Sequence, residues 1–141
     1  MRLYGLLLWL GMSVSLNAQQ SVEGIWKAID DNDGAVTSHI EIYVEQGELH
    51  GKIVDIFERE KDVICVPCKG DKKDQPVMGM EIIWGLRQKK DTWKGGKIMD
   101  PENGKTYKCK ISLDPQDADV LEVRGFIGMS VMGRTQRWER L

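Results

Sequence analysis

Three cysteines carry the most reactive side chains of this 141-residue chain, and two of them are spaced as Cys65-Val66-Pro67-Cys68. Cysteines at that spacing can close a disulfide, work as a redox pair or supply half of a zinc site. A redox pair needs its first thiol at a helix N-terminus within a strand–helix–strand context, which lowers the pKa. Here Lys69-Gly70-Asp71-Lys72-Lys73-Asp74-Gln75-Pro76 follows, and it reads as loop. Zinc needs further ligands, and neither a second Cys-x-x-Cys nor a His-x-x-x-His supplies them. A disulfide is favoured for Cys65 and Cys68 over the two pairings that involve Cys109. Cys109 alternates with Tyr107 and Ile111 on an apolar strand face, so it is expected as a buried free thiol.

Acid–base chemistry has little to draw on. His39 and His50 are the only histidines, and they fall on different strands. No nucleophile elbow, metalloprotease pattern, P-loop or dinucleotide fingerprint occurs. Neither enzyme activity nor a cofactor or metal is expected. Asp55 is the one acid inside an apolar run, Ile53-Val54-Asp55-Ile56-Phe57. Facing inward it needs a cationic partner such as Arg124 or Arg137; facing outward it is ordinary.

The aromatic residues need a scaffold, and the rest of the chain describes one. Segments alternate with period two and end in turn chemistry. The expected strands are Val22 to Ile29, Val36 to Val44, Glu48 to Phe57, Met80 to Trp84, Thr92 to Met99, one through Tyr107 to Leu113, one through Leu121 to Ile127, and Ser130 to Arg140. The polar run Arg87 to Asp91 separates the fourth from the fifth. Asp100-Pro101-Glu102-Asn103-Gly104 is the clearest hairpin, because Pro presets φ and Asn-Gly accepts the positive φ that returns the chain. About eight strands without a helix suit an all-β fold, a small antiparallel up-and-down β-barrel or a sandwich. The irregular stretch Arg59 to Val77 is long for a compact domain, which suggests function.

The termini favour the barrel. Gly24-Ile25-Trp26 opens the first strand, and Arg137, Trp138 and Arg140 lie on the last. Closure brings these together, with an indole plugging one end and a cationic side chain across its face. Gly24, Trp26, Arg137, Trp138 and Arg140 are therefore assigned barrel-closing roles.

Residues 1–18 read as a signal peptide: Arg2, an apolar run from Leu3 to Val14, and Ser15-Leu16-Asn17-Ala18 as a small-residue cleavage site. The apolar run is shorter than the ~20 residues of a spanning helix. Residues 19–141 are then expected as a single domain, periplasmic or secreted, with no further membrane span. Lys and Arg number 20 against 22 Asp and Glu. Mild acidity without a basic stripe argues against nucleic acid and against an anionic membrane surface.

Six motifs in order carry a resemblance: Gly24-x-Trp26, Cys65-x-x-Cys68-x-Gly70, Pro76-x-x-Gly79, Asp100-Pro101-x-Asn103-Gly104-Lys105-x-Tyr107, Leu121-x-Val123-x-Gly125 and Arg134-Thr135-Gln136-x-Trp138-x-Arg140. Together they resemble the bacterial domain-of-unknown-function family 2147 over nearly the whole chain beyond the leader. The resemblance implies an exported small protein with a lipocalin-like barrel, and it implies no activity. The barrel shape, more than the resemblance, leads to the expectation that the chain binds a small, partly apolar ligand in or at the mouth of the barrel. Trp84, Trp93 and Tyr107 are the candidate contacts, and the Arg59–Val77 loop is a lid clamped by Cys65–Cys68. The competing expectation is a filled-core module that recruits an envelope protein or a second copy of itself through an exposed edge.

Overall fold

A computed structural model describes residues 20–141, so the expected leader lies outside the described residues. Eight strands follow one another: β1 (Gly24–Ile29), β2 (Val36–Glu45), β3 (Glu48–Ile56), β4 (Glu81–Lys89), β5 (Thr92–Met99), β6 (Thr106–Asp114), β7 (Asp117–Phe126) and β8 (Gly133–Arg140). Each pairs antiparallel with the next, and β8 returns to β1, which closes the barrel. The seam is short, with Trp26 opposite Arg140 and Lys27 opposite Glu139.

Alternation decides which side chains enter the barrel. Ile40 and Ile42 of β2, Leu49 and Ile53 of β3, Cys109 and Ile111 of β6, and Leu121 and Val123 of β7 are all buried. Their neighbours in sequence face out, as a half-buried sheet requires. Bulges interrupt the ladders, as between Lys94 and Gly96 of β5. That extra residue lets Lys94 and Lys97 both stay exposed while Trp93 and Gly96 are buried. Such bulges bend a strand enough to close a narrow barrel.

Three expectations change, the first being that the last strand begins at Gly133 instead of Ser130. Arg87, Gln88 and Lys89 belong to β4, paired with Lys94, Trp93 and Thr92. They lie where the strand runs past the core, so all three are exposed and the alternation vanishes although the ladder continues. The Arg59–Val77 stretch is also more structured than a loop. It folds back on itself through an isolated bridge between Ile64 and Pro76 and a 3-10 turn at Gly70–Lys72. The Cys65 N–H donates to Gln75 O at 2.8 Å, and the Val77 N–H to Val63 O at 3.0 Å.

Candidate ligand site at the barrel mouth

The two ends of the barrel differ. At one end the tight turns β2–β3, β4–β5 and β6–β7 meet the seam. Trp26 fills this end, fully buried, its indole N–H donating to Val22 O at 2.9 Å. The Arg140 guanidinium lies 4.3 Å from the Trp26 ring centre. Its fork donates to Glu23 O at 3.1 Å and to Ser21 O and Ala118 O at 3.0 Å, with Asp119 Oδ1 at 3.2 Å. A Cβ on Gly24 would stand 3.1 Å from the Arg140 Nη1, and Gly24 has φ of 136°, so the glycine leaves the guanidinium its place. Arg137 takes no part in this plug. It lies on the outer face, bonded to Asp114 at 2.7 Å and Glu122 at 2.8 Å. The Gln116 backbone N–H and the Arg137 guanidinium hold the Asp114 carboxyl below its ordinary pKa.

At the other end the four longer connections surround an open cavity of about 470 Å³. Its depth is apolar, with Ile40, Ile53, Ile82, Ile98, Val123 and Trp138. The rim carries Asp30, Arg59, Asp100, Glu102 and Arg134. Arg134 pairs with Asp31 at 3.0 Å, which links the β8 and β1 sides of the mouth. Between depth and rim sit Ser38, Tyr107 and Gln136. The Gln136 side-chain oxygen accepts the Trp138 indole N–H at 2.9 Å. Its amide nitrogen, like the Tyr107 and Ser38 hydroxyls, has no hydrogen-bond partner among the described residues. None of these groups is sealed away from the cavity, since no buried side-chain polar atom among the described residues is orphaned. The arrangement can hold an apolar body and bond one polar end.

Of the three aromatic residues proposed as contacts, Tyr107 lines this cavity and Trp84 and Trp93 do not. Trp93 is buried beside Ile111 towards the plugged end. Trp84 lies outside, with the Lys72 ammonium 4.8 Å from its ring centre. Trp138, assigned to closure, forms part of the cavity wall. Gln136 and Ser38 are absent from the candidate contacts: Ser38 alternates with Ile40 and Gln136 with Trp138, but alternation does not say that the interior is hollow at their level.

Cys65 and Cys68 form a disulfide, and Cys109 is free and buried. Burial pushes the Cys109 thiol up to about 12. The disulfide loop is a side wall instead of a lid: only Arg59 and Val77 of its stretch reach the cavity. It packs against the β5–β6 hairpin, with Cys65 Sγ 3.4 Å from Pro101 O. Gly104 allows that approach, since a Cβ there would lie 2.1 Å from Pro67 O. Asp55 faces out and bonds Lys61, which lowers its carboxyl pKa.

A family model described as "uncharacterized protein conserved in bacteria (DUF2147)" matches residues 24–140. Among solved structures, the chain is similar to HP1028 of Helicobacter pylori, described as belonging to the lipocalin family. The two are 20% identical with a TM-score of 0.75, over 87% of this chain and 84% of that one, which shows a shared fold. No curated protein matches by sequence. No helix among the described residues is long and apolar enough to cross a membrane.

Proposed function

This chain belongs to the DUF2147 family of bacterial proteins, and on that premise we propose that it is an exported carrier that holds a small, partly apolar molecule in the mouth of its barrel. The observation that carries the reading is the hollow upper half, about 470 Å³, above a solid lower half. That volume falls within the range of small-molecule sites, and its apolar walls with a few free polar groups match their usual chemistry. The apolar part of the ligand rests on Ile53, Val123 and Trp138, and an acceptor atom at its other end meets the Tyr107 hydroxyl and Gln136 amide. The short leader, read from residues 1–18, supplies the export route.

The test is saturable binding of an environment-sensitive apolar fluorophore, with native mass spectrometry of gently purified protein. Trp138 in the wall reports occupancy by a change in its emission. Gly125 lines the cavity and a Cβ there makes only ordinary contacts, the closest at 3.6 Å. Gly125→Phe, or Ser38→Phe should that variant not fold, is expected to fill the space and abolish binding. A folded variant that binds the probe as well as the parent, or a parent with neither bound molecule nor saturable binding, overturns the reading.

A further inference from the structure

Chain order hides a basic surface that strand register assembles. On the outer wall, Arg87 stands opposite Lys94, Lys94 opposite Lys110, and Lys110 opposite Arg124. One step closer to the mouth, Trp84 stands opposite Lys97, Lys97 opposite Lys108, and Lys108 opposite Phe126. Cations directly opposite one another repel and weaken a sheet. Lys94, Lys97, Lys108, Lys110 and Arg124 form no ion pair among the described residues. Arg87 is held by Glu48, and the nearest outward acid on β7, Glu122, is taken by Arg137 at 2.8 Å. Expecting no anionic surface because no basic stripe runs along the sequence is therefore unsafe: the stripe runs across strands.

This wall leads directly into an apolar tip. The connection after β7 exposes Ile127 (68%), Met129 (72%), Val131 (78%) and Met132 (70%). It holds no charged residue between Phe126 and Arg134. Its backbone is tied down by the same basic wall: Arg124 Nε donates to Ser130 O at 2.8 Å, and Lys108 Nζ to Gly128 O at 3.3 Å. The Met132 N–H also donates to Met129 O at 3.0 Å. With the backbone bonds turned inward, all four apolar side chains stay largely exposed.

We propose that this face docks on a lipid bilayer bearing anionic headgroups, with the Ile127–Met132 tip entering the interface and the β5–β7 cations meeting the phosphates. Charge complementarity selects the partner, because unpaired cations attract anionic lipid within a Debye length. The tip separates a bilayer from nucleic acid, which has no use for four exposed aliphatic and thioether side chains beside the cations. Ile127 and Met132 also line the cavity, so docking sets the mouth against the lipid. The docking proposal does not depend on what the cavity holds.

The experiment is co-sedimentation of the chain from Gln20 onward, which contains the whole barrel, with two kinds of vesicle. One is phosphatidylcholine alone, and the other is phosphatidylcholine with phosphatidylglycerol. Binding is expected only to the anionic vesicles and should weaken as salt rises. Lys108→Gln with Lys110→Gln should lower the partition coefficient more than tenfold, at about fivefold per cation near the surface. Met129→Asp with Val131→Asp should abolish binding even at low salt. Both sites are exposed, and circular dichroism and thermal unfolding verify that the variants remain folded. Equal binding to the two vesicle types, no binding to either, or folded variants that bind like the parent each overturn the proposal. So does tighter binding to a single-stranded oligonucleotide than to anionic vesicles, lost with the lysines and kept without the tip.

Discussion

The two ends of this barrel are made from the same strands and solve opposite problems. At the plugged end the inward-facing Trp26, Leu49, Leu86 and Leu121 are fully buried, and the Arg140 fork ties the carbonyls of Ser21, Glu23 and Ala118 together across the seam. At the mouth, the interior-facing positions of those strands line a cavity, with polar groups unpaired and apolar side chains exposed. Stability should therefore be concentrated around Trp26, and binding around Tyr107 and Gln136.

The largest effect should come from the plug. Trp26→Ala removes a fully buried indole and leaves a void that the closed strands cannot collapse into, so it should cost about 3–5 kcal/mol in denaturant unfolding. A loss below 1 kcal/mol, measured the same way, breaks the comparison. At the mouth, Gly104→Ala should cost about 2–3 kcal/mol, since it combines a strained positive φ with a clash against Pro67 O. That change should loosen the disulfide wall and weaken ligand binding, whereas Trp26→Ala in protein that remains folded should leave affinity near the parent value.

Arg140→Lys sharpens the description of the plug. An ammonium cannot reproduce the planar fork, so about 1–2 kcal/mol of stability should be lost although the charge is kept. Tyr107→Phe asks the matching question of the mouth. Affinity for a ligand with an acceptor end should fall about fivefold, from one lost hydrogen bond, with thermal stability unchanged. An apolar probe without an acceptor should not distinguish the two proteins.

The smallest effect concerns pH. The Asp114 carboxyl is held below its ordinary value of 3.8 in the folded state, so its contribution to stability is present above that value. The contribution is lost as pH falls through the lower folded value. Asp114→Asn should flatten the acid limb of the stability curve below pH ~4 and leave the neutral region with its Arg137 bond weakened. An unchanged acid limb removes Asp114 from the account.

Much of the scaffold was legible because its signals are local. Alternation in β2, β6 and β7 marks the inward face directly, and Asp100 to Gly104 marks its hairpin. The Cys65–Cys68 pair is close enough in sequence to find its partner without tertiary information. β4 was cut short because its last residues pair beyond the core, where hydrophobicity no longer reports strand structure. The site was less legible: Tyr107 was read as an aromatic on an apolar strand face, while Ser38 shared the alternation of Ile40, Gln136 that of Trp138, and only the cavity put both at its lining.

The amino-acid order by itself marked about eight strands and the facing of those with clean alternation, β2, β6 and β7, because such signals rest on neighbours two residues apart or on a turn; the facing of Asp55 in β3 was left to the fold. The order also supplied the ends that meet at the seam. Only the tertiary structure decided that the lower half is solid and the upper half hollow, since volume depends on side chains from all eight strands at once. Register likewise decided that Lys94, Lys97, Lys108, Lys110 and Arg124 share one wall, because strands lie some 5 Å apart however far apart their residues are in the chain.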